Sequence, residues 1–174
     1  MKKGTAMGKL ILITGKSLAG KSMRLTRLAN SDPKGIYLGV YQNEYDTNER
    51  QQSRILELNK SVPFINTILN EPSAMELKKR YPAFFTIYVD EAQGRARCIK
   101  DYLDNGFTVY AAGVTSRYKE SSELWKCADV IYYLKGGKWY INDYFTNKTI
   151  FRDIKNRIVH RKKIEYCREV MNEI

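Results

Sequence analysis

Two short segments of this chain carry residue types that can do chemistry on a phosphate. The first is Gly15-Lys16-Ser17-Leu18-Ala19-Gly20-Lys21-Ser22, which fits the spacing G-x-x-x-x-G-K-[ST]. Two glycines let such a backbone curl until its N–H groups converge on phosphate oxygens, and a following helix adds the positive end of its dipole. Lys21 then reaches the β- and γ-phosphates as a point charge, and the Ser22 hydroxyl ligates Mg2+. The second segment is Thr86-Ile87-Tyr88-Val89-Asp90-Glu91, an apolar run that ends in two acids. A carboxylate at the end of a buried strand stands at the sheet edge, beside such a loop. Asp90 can hold the hydration shell of the Mg2+ opposite Ser22, and Glu91 can accept a proton from an attacking hydroxyl or water. The two segments predict a nucleotide- and Mg2+-binding site for phosphotransfer or hydrolysis. They leave the acceptor open.

The elements that must position these groups follow from the apolar pattern. Residues 9–14 read as a buried strand, residues 21–30 as a helix with apolar positions among basic ones, and residues 36–41 as a second strand. Further along, strands are expected over 63–69, 84–89 and 107–112. Helices are expected over 53–58, 72–80 (with Pro72 in its first turn), 95–103 and 121–127. Residues 130–134 and 138–141 read as a hairpin turned by Gly136-Gly137, and residues 154–174 as a basic helix. Strands alternating with helices predict an α/β fold: a P-loop NTPase core with a mostly parallel sheet and helices on both faces. Residues 1–134 would form the nucleotide-binding domain, and residues 135–174 a C-terminal hairpin and helix appended to it.

With 174 residues the chain has the size of one ordinary domain. No run approaches the roughly 20 apolar residues of a membrane span. The three cysteines, Cys98, Cys127 and Cys167, form no C-x-x-C pair, and His160 is the single histidine. A Cys/His zinc site is therefore not expected, and free thiols suit a cytoplasmic protein. Thirty basic residues against 19 acidic ones give a net charge of +11, unevenly spread. Residues 1–34 hold eight Lys/Arg and one acid, residues 35–134 hold 12 and 13, and residues 135–174 hold ten and five. The basic ends suit either a solvated surface or a nucleic-acid contact, and no nucleic-acid-binding motif accompanies them.

The motifs resemble the type II thymidine kinases, the zinc-containing class of cellular and viral enzymes. The likeness lies in Gly8-Lys9-Leu10 leading into the glycine loop, in Val89-Asp90-Glu91-Ala92-Gln93, and in residues 105–114 (NGFTVYAAGV), where the family has a strand ending in A-G-L. It runs from about residue 8 to residue 134. The resemblance implies transfer of the γ-phosphoryl of ATP to the 5′-hydroxyl of a deoxynucleoside, with Glu91 as general base and Asp90 and Ser22 serving Mg2+. It also implies a lasso over residues 135–148 that encloses the nucleoside, and a homo-oligomer, commonly a tetramer. The family's four zinc ligands have no counterpart here. Ser17 replaces the usual methionine, Gly94 and Arg95 replace the aromatic positions after D-E-A-Q, and residues 113–118 (GVTSRY) replace G-L-D-x-D-F. These departures fall on the nucleoside side and spare the phosphate-binding residues.

On the substrate side the candidates are Gln93, Arg95 and Tyr118. Arg95 and Arg97 could touch an anionic substrate, or cap the acidic end of the site, or be solvated. Tyr118 could stack on a base or pack in the core. Arg50 could stabilise transferring phosphoryl charge or be a loop arginine, and His160 reads as surface charge. Two other functions compete with the kinase: a P-loop ATPase acting on nucleic acid, and a degenerate kinase kept as a nucleotide-binding scaffold.

Overall fold

The computed structural model describes residues 7–15, 20–40, 58–113, 124, 127–134 and 163–167, the last of these segments by its backbone. In chain order the elements are β1 (Leu10–Gly15), α1 (Lys21–Asn30), β2 (Gly35–Gly39), β3 (Phe64–Asn66), α2 (Ala74–Arg80), β4 (Thr86–Val89), α3 (Ala96–Asp104), β5 (Thr108–Ala112), β6 (Val130–Leu134) and β7 (Lys163–Cys167). The strands form one sheet in the order β3-β2-β4-β5-β1-β6-β7. Every pairing is parallel. A parallel sheet covered on both faces needs strands that are apolar on both faces, and β1 is buried through Leu10–Thr14.

Side chains alternate across this sheet, so each strand feeds two cores. Leu10, Leu12, Ile36, Leu38, Ile87, Val89, Val109 and Ala111 join Ala74 and Leu77 of α2 and Ile99, Tyr102 and Leu103 of α3. Ile13, Tyr37, Tyr88 and Ala112 join Leu25 and Ala29 of α1 on the opposite face. Helices thus cover both faces, as the alternating sequence pattern requires. Between α3 and β5 the chain passes so close to β1 that a Cβ on Gly8 would lie 1.9 Å from the Phe107 carbonyl oxygen. Only glycine fits there.

Helix α2 shows how local chemistry sets a boundary. Ser73 is its N-cap: Ser73 Oγ accepts from Glu76 N, and Glu76 Oε2 accepts from Ser73 N at 2.7 Å. This reciprocal box satisfies two backbone donors and starts the helix after Pro72, which therefore lies outside the first turn. The Asp101 carboxylate of α3 accepts from Ala74 N at 2.7 Å, and Tyr102 Oη donates to the Pro72 carbonyl at 2.8 Å, fastening α2 to α3.

The far edge departs from the sequence expectation. Residues 163–167 are not helical; they form β7, paired along its length with β6. The other side of β6 is taken by β1, so Val130–Leu134 has no free edge for the expected hairpin with residues 138–141. Residues 163–167 (KIEYC) alternate polar and apolar and carry Ile and Tyr, which suit a strand, and the β6 edge offers that pattern a row of backbone partners. Leu124 and Cys127 are helical, within the helix expected over 121–127, and the segment 53–57 lies outside the described residues.

Candidate functional site

All strands run the same way, so the ends of β1, β2, β4 and β5 lie on one edge of the sheet. At that edge β1 finishes at Gly15 and α1 begins at Lys21. Gly20 is the N-cap of α1, with φ 85° and ψ 22°, left-handed backbone that a Cβ would penalise. The helix therefore starts without a capping side chain or an acid in its first turn, which leaves its positive end available to an anion. Lys16, Ser17, Leu18 and Ala19, the middle of the glycine loop, lie outside the described residues, as do Arg50, Tyr118 and His160.

The acidic segment meets α1 at this edge. Ser22 Oγ donates to Asp90 Oδ1 at 3.1 Å, joining residues 68 apart in sequence. Asp90 is buried, and its carboxylate accepts two more hydrogen bonds: Glu91 N to Oδ1 and Tyr37 Oη to Oδ2, each at 3.0 Å. Three donors offset the cost of burying a carboxylate. Thr26 Oγ1 lies 3.5 Å from Tyr37 Oη, extending the chain of polar groups beneath α1. Lys21 Nζ reaches back to the Gly15 carbonyl at 3.4 Å. Burial holds the Lys21 ammonium below its ordinary value, while the Glu91 and Asp90 carboxylates pull the other way. Lys21 therefore faces both acids of the second motif.

Glu91 has φ 49°, the single non-glycine residue with positive φ among the described residues. Such backbone costs on the order of 1–3 kcal/mol and persists where the surroundings enforce it. Here two hydrogen bonds do so: Glu91 N to its neighbour's carboxylate, and Ala92 N to the Ala112 carbonyl at 2.8 Å. The reversal turns the Glu91 side chain out of the sheet into solvent, whereas Asp90 stays buried. One acid is fixed and one is free to meet a ligand.

The substrate-side candidates divide. Gln93 is exposed, two residues beyond Glu91. Arg95 is held instead by Glu71, at 3.2 Å from Nη1 to Oε1, with side-chain exposures of 14% and 28%. This half-buried pair ties the loop after β4 to the loop after β3, so Arg95 acts as a brace rather than as an open anion contact. Glu71 also stands beside Cys98, whose thiol is pushed up to about 11 by burial and by that acid. Arg97 is exposed.

Sequence reasoning did not find Tyr37, Thr26 or Glu71. Tyr37 carried one usable signal, a polar tip within an otherwise apolar strand, but its partner is decided by the β2–β4 register that sets Tyr37 beside Tyr88 and Leu38 beside Val89. As a donor set, the Ser22 hydroxyl and Asp90 carboxylate are hard oxygens that suit Mg2+, which keeps several waters and takes few protein ligands. Among the described residues no group of three or more His, Cys, Asp or Glu is placed to hold a metal ion. No helix among the described residues is long and apolar enough to cross a membrane. Compared with protein-family models and with curated proteins, the chain matches none.

Proposed function

We propose that this chain is an ATP- and Mg2+-dependent phosphotransferase of the thymidine kinase type, moving the γ-phosphoryl of ATP to the 5′-hydroxyl of a deoxynucleoside. The observation that carries this reading is the 3.1 Å hydrogen bond between Ser22 and Asp90, which brings the glycine-bracketed turn and the acidic strand end to one point. The strand order supports it, since β1 and β4 flank β5 in a parallel sheet and so end on the same edge.

In this reading the start of α1 and Lys21 bind the phosphates, and the partial burial of Lys21 strengthens its attraction for them. Ser22 and Asp90 hold Mg2+, which would neutralise charge on the β- and γ-phosphate oxygens. Glu91, exposed and beside Lys21, takes the proton from the attacking hydroxyl. The Glu71–Arg95 brace fixes the loop that carries Gln93 toward the acceptor side. The exposure of Glu91 also favours a second reading, in which water is the acceptor and the basic chain ends hold a nucleic acid.

One experiment separates the readings. The protein is incubated with Mg2+ and γ-labelled ATP, together with each deoxynucleoside, with single-stranded DNA, or with neither. Label on a nucleoside supports the kinase, and DNA-stimulated phosphate release supports the ATPase. Nucleotide binding with neither product leaves a scaffold.

A further inference from the structure

We infer that Tyr37 is a positioning residue for the cation site, holding the Asp90 carboxylate in place beside Ser22. This inference rests on the nucleotide-binding reading above. Asp90 is the buried acid of the site, and its two oxygens are used differently. Oδ1 takes Ser22 Oγ and Glu91 N, while Oδ2 takes the Tyr37 hydroxyl at 3.0 Å. A carboxylate held through one oxygen can swing about its terminal torsion, which is broad and roughly two-fold. If Oδ2 were released, the carboxylate would turn, and Oδ1 would no longer be fixed beside Ser22 Oγ, where a cation shared by the two residues must sit.

Tyr37 is built to prevent this. Its ring is 4% exposed and stacks on Phe64 with centroids 6.2 Å apart, so the hydroxyl has a fixed address. Its residue pair across β4 is Tyr88, and the α1 face closes over it through Leu25 and Ala29. Thr26 Oγ1, 3.5 Å from the phenol oxygen, is placed to donate to it and so keep its proton aimed at Asp90. Groups that orient a metal-binding carboxylate in this way alter cation affinity without touching the cation.

The test is Tyr37→Phe, which keeps the ring and removes the hydroxyl. Binding of a fluorescent ATP analogue is followed as Mg2+ is titrated, and again in EDTA, with thermal unfolding as a check on the fold. The Mg2+ concentration for half-maximal binding should rise about tenfold, while binding in EDTA changes less than about twofold. Thr26→Val, which leaves Tyr37 in place, should give a smaller rise in the same direction. An unchanged Mg2+ midpoint in folded Tyr37→Phe overturns the inference, as does an equal loss of binding in EDTA, which marks a structural role. If the unaltered protein itself fails to bind the analogue in saturating Mg2+, the function proposed above falls and this inference with it. A wild-type protein that binds with a clear Mg2+ dependence isolates the role of Tyr37.

Discussion

Two tyrosines, neighbours in register on adjacent strands, each donate to an aspartate at 3.0 Å, at opposite edges of the sheet. Tyr88 Oη meets Asp32 in the turn before β2, at the edge where the strands begin. The other Asp32 oxygen accepts from Lys34 N at 2.9 Å, so that carboxylate is consumed by its own turn. Tyr37 Oη meets Asp90 where the strands end. There the second oxygen is shared by a serine hydroxyl and the N–H of a residue with positive φ, with a half-buried lysine nearby. The first pair closes a turn. The second gathers side chains from β2 and α1, and the turn after β4, around one buried carboxylate. The two bonds thus differ in what the remaining oxygen serves: the turn's own backbone at Asp32, and a side chain of another element at Asp90.

That contrast can be broken most sharply at Lys21. Lys21→Ala should lower ATP turnover by a hundredfold or more, of the order seen when one charge-stabilising group is removed from a transition state. Label transfer from γ-labelled ATP reads it, and activity that survives would refute the site. Glu91→Gln comes next: transfer should slow by roughly 10²–10⁴-fold while binding of the nucleotide analogue persists, as expected of a lost general base. Parallel losses of binding and rate would place Glu91 in the binding machinery instead.

A pH titration sharpens the comparison further. Because burial holds Lys21 below the ordinary 10.5, nucleotide affinity should begin to fall at alkaline pH before free lysines titrate. The same shift has a stability consequence. Between the folded and unfolded values the unfolded chain binds the extra proton, so the Lys21 contribution to stability rises with pH in that window. Lys21→Met should remove this component of the unfolding profile, and a profile unaltered by the substitution would contradict the burial argument.

The smallest effect is expected at the other carboxylate. Tyr88→Phe should cost about 1 kcal/mol of stability near neutral pH and leave Mg2+-dependent nucleotide binding unchanged. Burial and the neighbouring Asp32 hold the Tyr88 phenol well above its usual 10, so above that pH the unfolded chain loses a proton that the folded chain keeps. The wild-type protein should lose stability there, and the gap to Tyr88→Phe should narrow. Urea unfolding across pH 7–11 measures both; a loss of nucleotide binding in Tyr88→Phe would erase the distinction between the two aspartates.

The sequence by itself determined the elements that carry the site. Residues 9–14 read as a buried strand because Leu10–Ile13 are apolar on both faces, and Gly15, Gly20, Lys21 and Ser22 follow them at a spacing with a chemical meaning. The acids after the apolar run at 86–89 were legible for the same reason: composition and period are local properties that one strand or helix displays alone. Tertiary structure decided the rest. Which hydroxyl would hold Asp90, which acid would occupy Arg95, and that Glu91 would turn outward through positive φ all depend on strand register and loop closure between distant segments. Residues 163–167 make the same point. Their alternation of polar and apolar residues is too short to separate strand from helix by itself, and pairing beside β6, which satisfies a row of backbone groups at once, decides it.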